Sequence, residues 1–123
     1  MIKITADLKP VPFPRPRFDS RSKQTFNPKR YQEFKDELGF MARLAMKGRL
    51  PFTGEVKLHA DFYRLKPKRS KHVSFIGDVD NYLKAVMDSL IGICYEDDRQ
   101  VVETHARKLF GNPHIEIELE EVQ

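Results

Sequence analysis

The sequence predicts an α/β (α+β) fold: a single small domain over residues 1–123, with a mixed β-sheet and two main helices in the order β-α-β-α-β-β. Three observations carry that reading. Ile2–Leu8 and Glu55–Leu65 alternate apolar and polar residues, the period of a half-buried strand. Two windows, one after Asn27-Pro28 and one after Asp78–Asn81, instead repeat apolar residues at spacings of three and four. Finally, 123 residues with 40% apolar content are enough to build one core without disulfides or structural zinc.

In chain order, Ile2–Leu8 is the first strand. Lys9-Pro10-Val11-Pro12-Phe13-Pro14-Arg15-Pro16-Arg17-Phe18 then holds too much proline for a helix or a central strand, so an extended loop runs to Asn27. Asn27-Pro28 starts a helix, with Asn as cap and Pro at the first helical position. Tyr31, Phe34, Leu38, Met41 and Ala45 form its apolar stripe, ending near Gly48.

In Glu55–Leu65, Val56, Leu58, Ala60 and Phe62 share one face. A loop without acids follows, Arg64–His72, carrying Arg64, Lys66, Lys68, Arg69 and Lys71. The second helix starts at Asp78–Asn81, with Leu83, Val86, Met87, Leu90 and Ile91 as its core stripe and Gly92 as terminator. Gln100–Leu109 and His114–Leu119 read as a closing hairpin around Gly111-Asn112-Pro113.

No apolar run approaches the roughly 20 residues that cross a bilayer, and the first residues lack a signal-peptide core. The expectation is a chain with no membrane association, in the cytoplasm. The single cysteine, Cys94, cannot form an internal disulfide and reads as a small buried hydrophobe beside Ile91 and Ile93.

The net charge of +4 hides a segregation. Residues 1–77 carry 18 Lys/Arg against 7 Asp/Glu, and residues 78–123 carry 4 against 11. The basic part suits a polyanion, which the acidic part would repel unless a cation intervened. Asp80, Lys84 and Asp88 follow at i, i+4 and i+8 and line one helix face, with Asp78 just before and Asp97-Asp98 shortly after. Clustered Asp oxygens are the hard ligands that Mg²⁺ or Mn²⁺ prefers, and phosphodiester hydrolysis uses such an ion. Zinc lacks Cys/His pairs at ligand spacing here, and the calcium-hand pattern would need ligands where Leu83 and Ser89 stand.

Pattern alone also permits plain structural roles. Asp78 and Asp80 suit a helix N-terminus, Lys84 suits surface pairing with Asp80 or Asp88, and Asp97-Asp98 suits a turn.

Asp78-Val79-Asp80-Asn81-Tyr82-Leu83-Lys84-Ala85-Val86-Met87-Asp88-Ser89-Leu90, followed by Asp97-Asp98-Arg99-Gln100-Val101-Val102, resembles the RusA family of Holliday-junction resolvases. Lys108 matches a further family lysine, and Pro12–Arg17 is similar to a Pro/Arg-rich segment seen in many members. The resemblance spans essentially the whole chain and implies one RusA-like endonuclease domain over 1–123. It implies a homodimeric, Mg²⁺-dependent endonuclease (Mn²⁺ a possible substitute) cutting branched DNA, the four-way junction, by paired nicks.

By the same resemblance Asp78, Asp80 and Asp98 bind metal, and Lys84 joins them as the catalytic lysine. Asn81, Asp88 and Asp97 are supporting positions. Members often carry a basic residue just before the first Asp. Here Ile76 and Gly77 stand there, which passes phosphate contacts to Arg15, Arg17, Lys66, Lys68, Arg69 and Lys71.

Two other classes fit parts of the chain. A non-catalytic nucleic-acid-binding module would use the basic loops with Phe13, Phe18 and Phe26 for stacking. An interaction subunit would offer Glu116, Glu118, Glu120 and Glu121 to a basic partner, although their alternation with Ile115, Ile117 and Leu119 fits an exposed strand face.

Overall fold

The computed structural model describes residues 1–14, 28–68 and 77–122. The elements are β1 (Ile2–Ala6), α1 (Pro28–Met46), β2 (Val56–Arg64), α2 (Val79–Ser89), a 3-10 turn (Asp98–Gln100), β3 (Val101–Phe110) and β4 (His114–Glu121). The order and class are those the sequence predicts. The one addition is the 3-10 turn, a single-turn element too short for periodicity to signal.

The four strands form one mixed sheet in the order β1-β4-β2-β3. β4 runs antiparallel to both β1 and β2, whereas β2 and β3 are parallel and joined through α2. This corrects the expected hairpin: β3 and β4 flank β2 and do not pair with each other. Proline in Asn112-Pro113 cannot adopt the positive φ of a tight hairpin turn. The connection instead steps over the end of β2, where the Gly111 N–H donates to the Arg64 carbonyl at 3.0 Å. A Cβ on Gly111 would come within 3.1 Å of the Tyr63 ring. Leu58, Ala60 and Phe62 give β2 the apolar positions a central strand needs.

Alternation decides the two faces of the sheet. Ile2, Ile4 and Ala6, Val56 to Phe62 at every second position, and Ile115, Ile117 and Leu119 all point inward and are buried. α1 covers them with Phe34, Leu38, Ala42 and Met46, and α2 with Tyr82, Ala85, Val86 and Leu90. Each fully buried large apolar side chain contributes roughly 1.5–3 kcal/mol.

Both helices are rotated slightly from the expected stripes. Tyr31, Met41, Ala45, Leu83 and Met87 are partly buried at the flanks, and Ile91 is exposed. Hydrophobicity ranks Leu and Met above Tyr and Ala. In the fold, however, Ala85 is buried on the sheet side and the Tyr82 ring lies 5.6 Å from Phe62. Cys94 is buried, as expected, and burial pushes its thiol up to about 11. Among the described residues no helix is long and apolar enough to cross a membrane.

Candidate active site

The site grows from the start of α2. Asp78 takes the N-cap position in extended conformation, and its carbonyl accepts the Asn81 and Tyr82 N–H groups at 3.0 and 3.3 Å. Its carboxylate makes no capping bond, so side-chain capping does not account for an aspartate here. Gly77, just before it, has φ +110°, and a Cβ there would sit 2.7 Å from the Tyr82 ring. A side chain at this position is therefore strained, which fits glycine in place of the basic residue that the resemblance leads one to expect. The position receives a cation all the same: the Lys108 ammonium donates to the Gly77 carbonyl.

Asp80 lies in the first turn of α2, where the helix dipole favours negative charge. Asn81 follows, its Oδ1 buried without a hydrogen-bond partner among the described residues. One turn beyond Asp80, the Lys84 ammonium donates to Asp98 Oδ2 at 2.9 Å. The structure thus brings Asp98 back to α2. Lys84 turns to Asp98 and not to Asp88, because Asp88 is engaged from α1: the Tyr31 hydroxyl donates to it at 2.8 Å and Lys35 lies 3.2 Å away. Burial and this bond push the Tyr31 hydroxyl well above the usual phenol range. Asp88 therefore ties the two helices together.

Asp97 has a different task from its neighbour. It caps the 3-10 turn, accepting the Arg99 N–H at 2.9 Å, while Gln100 Oε1 accepts the Asp97 N–H in return at 3.0 Å. The backbone bond from Arg99, with the Arg99 guanidinium, holds the Asp97 carboxyl below the usual carboxylate range. The Gln100 amide also donates to the carbonyls of Phe52 and Gly54 at 2.7 and 2.9 Å. The turn that displays Asp98 is thereby fastened to the segment leading into β2.

Phe13 supplies a further support. Its N–H donates to the Asn81 carbonyl at 2.9 Å and its ring lies 5.8 Å from Lys84 Nζ, within cation–π range. The ring also meets Tyr31 edge-on at 5.5 Å. Phe13, Tyr31, Asp88 and Lys84 thus form one continuous chain of contacts around the lysine.

Two cations reach the approach to α2: Lys108 at the Gly77 carbonyl and Arg64 at Tyr82. Arg64 donates to the Tyr82 hydroxyl at 3.3 Å. The nearby Arg64 charge, then burial, then Arg30 hold the Lys9 ammonium below its usual range, which places three cations close together. Lys66 lies 5.7 Å from the Phe110 ring and Lys68 is exposed. Arg15, Arg17, Arg69 and Lys71, with Phe18 and Phe26, lie outside the described residues.

Among the described residues, no three carboxylate, imidazole or thiol side chains stand close enough to form a ready metal cluster. The structure joins Asp98 to Lys84, while Asp78 and Asp80 stand at the start of α2 beside the orphaned Asn81 amide oxygen, all hard oxygen donors. That set suits Mg²⁺, which keeps several waters and takes only one or two carboxylates beside substrate phosphates.

The family model described as endodeoxyribonuclease RusA matches residues 7–120. The chain belongs to the RusA endodeoxyribonuclease family. It is also similar to the uncharacterized protein YqaN of Bacillus subtilis (strain 168), 30% identical over 138 residues covering 98% of this chain and 96% of that one.

In this RusA-family chain the sequence reading names the acidic residues and Lys84, gives Phe13 only as a stacking or packing group of a nucleic-acid-binding module, and misses Gln100, Lys9 and Arg30. Gln100 had a signal, since Asp97-x-x-Gln is capping-box spacing.

Proposed function

We propose that this chain is a structure-selective endonuclease that resolves four-way DNA junctions as a homodimer, using Mg²⁺, with Mn²⁺ able to substitute. The observation that carries the reading is the Lys84–Asp98 contact, which joins the 3-10 turn to α2 through the lysine four residues after Asp80. Family membership supports the endonuclease class. Arg64 and Lys108 beside the start of α2, with Lys9 and Arg30 in the field of Arg64, support a phosphate-backbone substrate. The Lys and Arg residues of 15–27 and 69–72 add to the positive charge available to such a substrate.

Asp78, Asp80 and Asp98 hold the cation, with Asn81 Oδ1 available as a further oxygen. A bound Mg²⁺ supplies Lewis-acid activation of water and neutralises charge on the phosphate under attack. Lys84 steadies the phosphate as its negative charge redistributes. Phe13 and Asp98 orient Lys84 for that task, Asp97 and Gln100 hold the turn that presents Asp98, and Asp88 fixes α2 against α1. Contacts to phosphates with little base reading make recognition depend on shape and fall steeply with salt. Two identical sites about a two-fold axis match the approximate two-fold symmetry of the junction and give paired nicks. The cytoplasm, where Cys94 stays reduced, is the proposed location.

The test is a labelled four-way junction incubated with Mg²⁺, Mn²⁺, Ca²⁺ or EDTA. Symmetrical nicks in Mg²⁺ and Mn²⁺, absent in EDTA, are expected. Junction binding without cleavage in every metal would instead identify a non-catalytic binding module.

A further inference from the structure

The outer face of α1 keeps two large apolar side chains in water. Phe40 and Leu44, one turn apart, are each 63% exposed, and Ile91, just past α2, is 38% exposed. Beside Phe40 a groove of about 530 Å³ runs between α1 and the end of α2, lined in part by Gly39, Arg43, Ile91 and Ile93.

Charges on this face are sorted about Phe40. Glu33, Asp36 and Glu37 precede it, and Arg43 and Lys47 follow. The sorting does little for the isolated helix. Glu33/Glu37 are like-charged at i, i+4, a destabilising spacing, and Lys47 lies just past the helix end at φ +52°. Glu33, Glu37, Arg43 and Lys47 make no ion pair among the described residues. The helix dipole accounts for only half of it: it favours Arg43 in the last turn, but the first turn of α1 holds no acid and carries Lys29 and Arg30 instead.

We infer that this face docks a second copy of the chain, α1 against α1, antiparallel across a two-fold axis at Phe40. An isologous contact uses one patch twice, so the patch must complement itself. A patch whose charge reverses about Phe40 does so only when antiparallel. Phe40 then meets Phe40 of the partner subunit, Asp36 faces Arg43 of the partner subunit, and Glu33 faces Lys47 of the partner subunit. A parallel arrangement would stack acid on acid. DNA is a poor occupant, because three acids border an apolar centre. The inference rests on the homodimer reading above, which by itself names no interface.

The test uses Phe40→Cys, since the native Cys94 is buried. A short bis-maleimide is expected to link Phe40→Cys into covalent dimers in high yield, and to leave wild type and Leu50→Cys as single chains. In sedimentation equilibrium, Phe40→Asp is expected to weaken the dimer about 30-fold or more, as for a central aromatic anchor. Arg43→Glu should weaken it too, and adding Asp36→Arg should restore it. Far-ultraviolet circular dichroism spectra of these variants should match wild type. A wild-type dimer that Phe40→Asp does not weaken and Phe40→Cys does not cross-link overturns this interface and leaves the homodimer standing. A wild type that is monomeric both free and on junction DNA overturns both.

Discussion

Lys84 and Asp98, fourteen residues apart, meet at 2.9 Å and are the direct link between α2 and the turn that opens β3. The two elements approach because Gln100 anchors the turn to residues before β2 and Gly92, at φ +82°, lets the chain leave α2 sharply. Asp98→Asn is expected to abolish junction cleavage in Mg²⁺ while binding is kept or tightened, because a negative charge beside phosphate is gone. Normal cutting by this variant would remove Asp98 from the metal site.

Lys84→Ala separates rate from affinity. Loss of a preorganised cation at the reacting phosphate should lower single-turnover cleavage by about 10²–10³-fold. Junction affinity should change far less, since many other cations contact the backbone. A pure affinity loss would mark Lys84 as a backbone contact only.

Phe13→Ala takes away the ring beside Lys84 and Tyr31. An exposed cation–π contact contributes about 0.5–1 kcal/mol, and disorder of the freed lysine adds to its loss. A fall on the order of 10-fold in single-turnover rate is expected, with junction affinity nearly unchanged and partial rescue by Phe13→Tyr. Equal rates for Phe13→Ala and wild type would show that Lys84 needs no such support.

Gly77→Ala strains the approach to α2. A side chain at φ +110° costs about 1–3 kcal/mol, and the Tyr82 ring must also move. Tyr82 packs on Phe62 and accepts from Arg64, so the shift passes to Asp78 and the basic rim together. Cleavage should fall more than thermal stability. An active Gly77→Ala enzyme would show that this loop adapts freely.

The fold was legible where period and punctuation agreed. Alternation at Ile2–Leu8 and Glu55–Leu65, and Asn27-Pro28 before a helical stripe, mark elements whose ends shift by only one or two residues in the structure. Strand order was not legible. Gly111-Asn112-Pro113 looks like a link between paired neighbours, and nothing local reveals that β2 inserts between β3 and β4. In the site, the acids and Lys84 were readable because their spacing is chemical. The division of labour within Asp97-Asp98 was not, since two adjacent aspartates differ only in which one finds a free backbone N–H. Phe13 acts across some seventy residues of sequence, a relationship only tertiary packing creates.

The open face of the sheet gives a pH prediction independent of DNA. Asp61 is buried there, paired with Arg107 through bonds of 2.9 and 2.8 Å and touched by His59 at 2.9 Å. The Arg107 bonds, opposed by burial and aided by His59, hold its carboxyl below the usual range. The unfolded chain, with an ordinary Asp near about pH 3.9, binds that proton more readily than the folded one. Stability therefore rises with pH between the depressed and the ordinary value, is complete above the latter, and is lost as pH falls through the former. Asp61→Asn removes a titrating group whose two states differ in folding. Urea midpoints measured from pH 2 to 7 should fall less steeply on the acid side for Asp61→Asn than for wild type, and should be lower than wild type at pH 7. Parallel acid limbs for the two proteins would mean that the Asp61–Arg107 pair contributes nothing to the pH dependence of folding.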